Sequence, residues 1–320
     1  MQSRLLYENA NSNQIPELSI VIPTYKRAKY VEDSINSIIN QDNKSISYEI
    51  VVINNDPENN MTDLIERFKN CNISFYSNEA NYGQVGNINQ GIHLARARFV
   101  SLLHDDDFLL DNYFQSISSL IRNDLKGNDC IITSYYQLHN GYKTDIKHRF
   151  LRGLFSLRFL YREMLSKVRP SDCAKALRNV YSVPTCGIIL RKSAVEEFGY
   201  FKDVSGSAWD YFNFRQLNRV ASISILHEFV AVRRMYTGMS NIDKIQKEFY
   251  AEKLAMIEEN NNYWIVRNLG RSMVTRKPRL RFLIAYILST FYFYSHNLDT
   301  DVSIPKSMYK KLIEEGVYKI

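Results

Sequence analysis

One stretch near the N-terminus sets the terms for any fold this chain can adopt. Residues 18–22 read LSIVI, nearly all apolar and β-branched, and Pro23 closes the run. Such a run belongs to a strand buried on both faces, the habit of parallel sheets, whereas a strand with one wet face would alternate. A polar turn follows at residues 24–29. Val31, Ile35, Ile38 and Ile39 then recur at helical intervals over residues 31–41, which gives one apolar stripe to lay on a sheet.

The same unit recurs along the chain. A strand at residues 49–53 runs into Asn54, Asn55, Asp56 and Pro57, and an amphipathic helix carries Leu64, Ile65 and Phe68. A strand at 73–76 and a helix at 87–97 precede the apolar strand 99–103. This alternation predicts an α/β fold: βαβ units in a Rossmann-like, mostly parallel sheet flanked by helices. Asp111 is placed to cap a helix over 112–122, and a strand at 130–135 ends the regular alternation. Residues 139–180 read as loops and short helices. A strand near 186–190, a helix near 193–198 stopped by Gly199, and a helix near 210–218 complete one domain over 17–245, with halves at 17–135 and 136–245. Residues 1–16 lack the apolar core of a secretory signal and read as a flexible polar tail. Residues 246–320 read as a helical C-terminal appendage.

Composition narrows the chemistry. With 320 residues and 45% hydrophobic content, the chain can bury one large core and carry a smaller appended unit. A net charge of +7 favours anionic partners: nucleotide phosphates, acidic lipid headgroups or nucleic acid. The basic residues sit in no nucleic-acid-binding motif, so nucleic acid is not an expected partner. Cys71, Cys130, Cys173 and Cys186 are scattered with no zinc-like spacing and read as reduced and mostly buried. No GxGxxG or GxxxxGK[ST] follows any strand, so neither a dinucleotide fold nor a P-loop is supported. The apolar stretch at 282–294 is shorter than the ~20 residues a spanning helix needs. Its flanking arginines and aromatics suit a helix lying on an anionic membrane surface, and equally a helix buried against the domain or a second copy of the chain.

Open parallel sheets bind ligands beyond the carboxyl ends of their strands, and three such ends are polar here: Thr24 and Tyr25, residues 54–56, and residues 104–107. The last holds Asp105, Asp106 and Asp107. Carboxylates ~6 Å apart repel by about 3 kcal/mol per pair at an effective dielectric near 20, a cost that a bound cation removes. Mn²⁺ or Mg²⁺ suits oxygen ligands shared between one or two carboxylates and a substrate's phosphates. The other reading is a solvated loop whose aspartates cap the next helix.

The segments LSIVIPTYKRAKYVEDSINSIINQ, EIVVINND, NYGQVGNINQGIHLARARFVSLLHDDDFL, GIILRKSAVEEFGYF and WDYFNFRQL together resemble glycosyltransferase family 2, enzymes of the GT-A fold, over about residues 17–240. The resemblance implies a catalytic domain with a nucleotide-binding half and an acceptor-binding half. It implies inverting transfer from a nucleotide diphosphate sugar, with UDP expected, to a hydroxyl of a glycan or lipid-linked glycan. The setting would be surface polysaccharide synthesis, O-antigen or capsule, in the cytoplasm or at the inner face of the membrane. Asp106 maps onto the metal ligand, with Asp105 and Asp107 beside it, and His104 stands where many members carry the first Asp of a DxD motif. Pro23, Thr24 and Tyr25 match the wall that holds the nucleobase. Asn54 and Asn55 stand where the family usually has two aspartates, and an amide oxygen can still accept the imide N–H of uracil. Asn81, Gly83 and Asn87 fall in the loop beside the nucleotide or sugar.

Asp210 aligns with the family's catalytic base, and Trp209 takes a position often held by Glu, where its ring either stacks on the acceptor or joins the core. Arg233, Arg234 and Ser240 resemble a late loop that closes over the donor. Two other readings stand beside this one. A nucleotidyltransferase on a related sheet would show a Gly-rich basic loop after the first strand, for which Lys26 and Arg27 are too little. A non-catalytic glycan-binding or scaffold protein would not need Asp106 and Asp210.

Overall fold

The computed structural model describes residues 1–9, 14–41, 45–138, 185–203, 209–234, 302–303 and 314. The buried run becomes β2 (Leu18–Thr24), with Leu18, Ile20, Val21 and Ile22 fully buried. Helix α1 (Ala28–Ile39) follows and buries Val31, Ile35 and Ile38, the stripe its spacing requires. Strand β3 (Tyr48–Asn54), helix α2 (Thr62–Phe68), strand β4 (Ile73–Asn78), helix α3 (Gly83–Leu94) and strand β5 (Phe99–Leu102) complete the alternating part. Strands β2, β3, β4 and β5 are parallel neighbours. The second part supplies β6 (Phe108–Leu109), α4 (Tyr113–Arg122), β7 (Cys130–Leu138), β8 (Ile188–Arg191), α5 (Lys192–Glu197), α6 (Trp209–Val220) and β9 (Ile223–Arg234). Among the described residues these strands join one mixed sheet in the order β4-β3-β2-β5-β8-β7-β9-β6, with β8 antiparallel to both its neighbours.

Period-two alternation in the sheet sorts the core into two layers. Ile20, Ile22, Ile50 and Val52 face α1, α2 and α4, whereas Val21, Val51 and Ile53 face α3, α5 and α6. Helix α3 comes in close. A Cβ on Gly91 would lie 2.4 Å from Val21 Cγ1 and 3.0 Å from Ile53 Cγ2, so glycine sets that helix-to-sheet distance.

Four expectations need correction. Residues 3–8 are not tail: they form β1 (Ser3–Glu8), antiparallel to β4, because an open strand edge there offers backbone partners to the first polar segment. Arg233 and Arg234 end a long strand, not a loop, because the ISILHEFVAVRR run pairs in parallel with β7. Within the stretch expected to be helical, Val302–Ser303 is a short strand, β10, alongside β7. The cap position expected for Asp111 is held instead by Asn112, whose side chain makes no capping hydrogen bond. Residues 139–180, Cys173, Ser240 and the apolar stretch at 282–294 lie outside the described residues.

Gly91→Ala tests the α3 contact. Although alanine favours helix by about 1 kcal/mol, the overpacking should dominate and cost a net 1–3 kcal/mol or so in urea unfolding. A variant as stable as the parent would mean that α3 does not rest on Val21 and Ile53.

Candidate active site

Strand order places the site. From β2 the chain steps outward through β3 to β4, then crosses back to β5 on the other side of β2. The crevice at such a reversal, beyond the strand ends, is where this class of sheet receives ligands. Here it opens into a cleft of about 400 Å³. The end of β2 contributes Pro23, Thr24, Tyr25 and Arg27, and the loop after β5 contributes His104, Asp105, Asp106 and Asp107. Asn55, Asn81, Gly83 and Asn87 form one side. Trp209, Asp210, Arg233 and Arg234 form the other. Every site residue expected from sequence lines this one cleft except Ser240, which lies outside the described residues.

The three aspartates are buried, and their surroundings differ. Thr24 Oγ1 donates to Asp105 Oδ2 at 2.8 Å, which ties the loop to the end of β2. Arg27 Nη1 lies 2.8 Å from Asp106 Oδ2 and 3.5 Å from Asp105 Oδ1. Asp107 turns inward, where its Oδ1 accepts the backbone N–H of Arg234 at 3.1 Å. Beneath the loop, Ser34 Oγ donates to the Asp107 carbonyl at 2.6 Å. Burial, then repulsion from Asp106, pushes Asp105 up to about 6, and the same two causes push Asp107 up to about 8. His104 shares a hydrogen bond with Thr185, and burial drops its pKa to about 4, so it is neutral near pH 7.

The side of the cleft that carries Asn55 is an asparagine lattice. Asn55 gives its two amide hydrogens to Asn81 Oδ1 at 2.7 Å and Gly83 O at 3.1 Å. Its oxygen accepts from Asn78 Nδ2 at 2.9 Å and Tyr82 N at 3.0 Å. All four hydrogen-bonding positions of that amide are therefore taken within the protein. The amide-to-uracil bond expected of Asn55 is not on offer here, because the lone pairs it needs fix the loop that carries Gly83, at φ +72. Asn78 is the hub: it also donates to Asn87 Oδ1 at 2.9 Å and accepts from Ser3 Oγ at 2.7 Å, which links β1 to the cleft. Asn54 is a turn residue, with its amide on the Asp56 and Asn59 carbonyls. Tyr25 is 43% exposed at the mouth, with the Lys26 ammonium over its ring at 5.2 Å from the centroid.

On the opposite wall, Asp210 opens helix α6 and Arg233 lies within electrostatic reach of it. Burial works against the charge on Arg233, but Tyr135, Asp107 and Asp210 together hold its pKa above the usual guanidinium value. Arg234 is locked in place: Nη2 meets Asp33 Oδ2 at 2.7 Å, Nη1 meets the Asp106 carbonyl at 3.3 Å, and the guanidinium stacks over Tyr30 and Phe108. Trp209 departs from the stacking expectation. It is 2% exposed and packs against Phe201 with ring centroids 5.5 Å apart, because its indole fills the layer under α6. The ring packs as core, although the residue borders the cleft.

Sequence reading had set Arg27 aside and had not noticed Thr185 or Gln84. Arg27 carried a signal, its place in the turn just past a buried strand. Thr185 carried none, since only the fold brings it to His104. Among the described residues no set of three or more His, Cys, Asp or Glu is arranged to hold a metal. The protein can offer Asp105 Oδ1 and Asp106 Oδ2, which converge on the single point that Arg27 Nη1 now takes. Two hard oxygens suit a small divalent cation whose remaining ligands come from phosphate and water.

Residues 19–196, more than half of the chain, match the family described as Glycosyl transferase family 2. A GalNAc(5)-diNAcBac-PP-undecaprenol beta-1,3-glucosyltransferase of Campylobacter jejuni is 33% identical over 107 residues, 32% of this chain and 34% of that protein. Among solved structures, Staphylococcus aureus TarS 1–349 in complex with UDP-GlcNAc superposes with a TM-score of 0.55 at 18% identity, over 84% of this chain and 79% of that one. The mannosyltransferase PcManGT of Pyrobaculum calidifontis, in complex with GDP-Man and Mn²⁺, gives 0.52 at 11% identity over 98% and 84%. At these identities the structural likeness speaks for the fold. The chain spans less than half the length of the first curated relatives it matches.

Two outcomes test the geometry. Between the unfolded value near 4 and its folded value near 8, Asp107 keeps a proton that the unfolded chain has lost, so rising pH costs stability across that window. His104 works in the opposite sense and Asp105 in the same sense, but both are finished by about pH 6.5. In EDTA, stability should therefore fall between pH 6.5 and 8 by up to about 1.4 kcal/mol per unit, and Asp107→Asn should flatten that slope. An unchanged slope would show that Asp107 is already ionised when folded. Separately, Asn78→Ala strips partners from Asn55 and Asn87 and should lower unfolding free energy by about 1–3 kcal/mol; a neutral result would dissolve the lattice.

Proposed function

Because the chain belongs to glycosyltransferase family 2, we propose that this cleft moves a sugar from a nucleotide diphosphate sugar, a UDP-sugar in the first instance, to a hydroxyl of a glycan or lipid-linked glycan, with inversion. The observation that carries the reading is that Asp106 and Asp210, far apart in sequence, line one cleft with the nucleobase wall at its mouth. The relatives point the same way: one is a glucosyltransferase named for an undecaprenol-linked glycan, and a structural neighbour holds UDP-GlcNAc. Assembly of a surface polysaccharide on a lipid carrier is the process these suggest, with the protein working at the inner face of the membrane.

Asp210 is the base. As the acceptor oxygen bonds to the anomeric carbon, its proton passes to the Asp210 carboxylate, and the bond from that carbon to the diphosphate breaks on the far side. Arg233 lies within electrostatic reach of Asp210, which helps keep its guanidinium charged in the buried wall. Arg27 and Arg233 line the cleft where the departing diphosphate gathers charge, and they stabilise it there. Asp106, with Asp105 beside it, would hold Mn²⁺ or Mg²⁺, and that ion supplies further charge neutralisation when bound. Support for an ion comes from the two converging carboxylate oxygens and from the Mn²⁺ seen in the Pyrobaculum neighbour. Tyr25 offers its exposed ring to the base, and the Asn55 lattice fixes the loop beneath the nucleotide. The alternatives of nucleotidyl transfer or a non-catalytic scaffold gain nothing from this arrangement, which brings a carboxylate base and two arginines to one cleft.

Asp210→Asn should bind UDP-sugar with unchanged affinity in calorimetry while turnover falls by about 10² to 10⁴. Turnover close to that of the parent would remove Asp210 from the mechanism.

A further inference from the structure

Arg27 reaches the acidic loop from the turn after β2. Lys26, at φ +57, turns the chain sharply after β2 and delivers Arg27 to the first position of the α1 cap. From there a single nitrogen, Nη1, sits 2.8 Å from Asp106 Oδ2 and 3.5 Å from Asp105 Oδ1. Arg234 approaches the same loop but differs in kind. Its side chain is 2% exposed, and it is held by Asp33 and by two aromatic faces. The Arg27 side chain is 27% exposed and lines the cleft. One arginine is built in and the other stands at the opening.

We propose that Arg27 is a resident counter-cation that competes with the divalent ion for Asp105 Oδ1 and Asp106 Oδ2 and, once displaced, engages the donor's diphosphate. The inference rests on the metal reading of Asp106 given above. A guanidinium stays charged at any pH the protein meets, so it cannot yield the carboxylates by losing a proton and must move. Two cations on the same pair of oxygens repel strongly in a buried site. The planar fork suits phosphate oxygens, and the diphosphate is the anion that arrives in this cleft with the sugar. Ion and nucleotide therefore help each other in: the ion frees Arg27 for the diphosphate, and the diphosphate holds Arg27 off the aspartates. Such coupling is reciprocal, so the free protein holds the ion weakly and the nucleotide-bound protein holds it well. The carboxylates meanwhile do not face each other unneutralised when the cleft is empty.

The test is Mn²⁺ titration by calorimetry on the parent protein, Arg27→Met and Asp106→Asn, each alone and with saturating UDP. Arg27→Met should bind Mn²⁺ about tenfold more tightly than the parent without UDP, and the gain in Mn²⁺ affinity that UDP brings should shrink by a similar factor. Thermal unfolding gives a second readout: in EDTA the variant should melt below the parent, and Mn²⁺ should raise its Tm by more. Equal Mn²⁺ affinities in the parent and Arg27→Met, both lost in Asp106→Asn, would overturn the competition while leaving the metal reading intact. No Mn²⁺ binding to the parent or to Arg27→Met, with or without UDP, would overturn the metal reading, and the competition with it.

Discussion

Three consecutive carboxylates, all buried at the tip of one strand, form an arrangement that a protein interior resists, since each charge loses water and repels its neighbours. The rest of the cleft can be understood as the answer to that resistance. The Thr24 hydroxyl and the Arg27 guanidinium meet Asp105 and Asp106, whereas Asp107 meets a backbone amide and is pushed towards its protonated form. Each aspartate is thereby given different partners. That asymmetry is what leaves Asp106, with Asp105 at its side, as the carboxylate that can face a ligand.

A second consequence is a division between parts that are fixed and parts that can yield. The asparagine lattice saturates Asn55, and Asn78 anchors it to β1 at the sheet edge. Arg234 is held by an ion pair, a carbonyl and two rings. Around that frame, Tyr25 and Arg27 keep exposed surface at the mouth. A site that admits a large charged donor, as proposed for this cleft, needs such a border, because preorganised groups lower the barrier only if the substrate can still enter.

The parallel part of the fold could be read from the sequence because each element announced itself locally. Buried β-branched runs marked β2, β3 and β5, and helical spacing marked α1. Strands β1 and β9 were missed for a shared reason. Each is stabilised by a distant partner, β4 in one case and β7 in the other, and a window of sequence carries no trace of such pairing. The cleft residues were found by their position at strand ends and by family resemblance, which is why they assemble in one place. Side-chain states were harder. Nothing in the letters shows that Trp209 would be sealed beneath α6, or that all four hydrogen-bonding positions of Asn55 would be taken. Those facts depend on neighbours brought in from elsewhere in the chain.

The departures from the family's usual acidic pattern act in one direction. His104 is neutral where an aspartate is common, and Asn54 and Asn55 replace carboxylates after β3. Each change removes a negative charge from the walls of the cleft that, on the proposed function, would receive a diphosphate. With Asp107 also drawn towards neutrality, the charges that remain at the acidic loop are few, and Arg27, Arg233 and Arg234 stand around them. A cleft balanced in this way repels the donor less than a fully acidic one does before any ion arrives, since unscreened charges in a low-dielectric site act over several ångströms. The cost falls on ion binding, because fewer carboxylates and a nearby guanidinium weaken the hold on a cation. On the function proposed above, the burden of neutralising the diphosphate would be shared between the ion and the protein's own arginines.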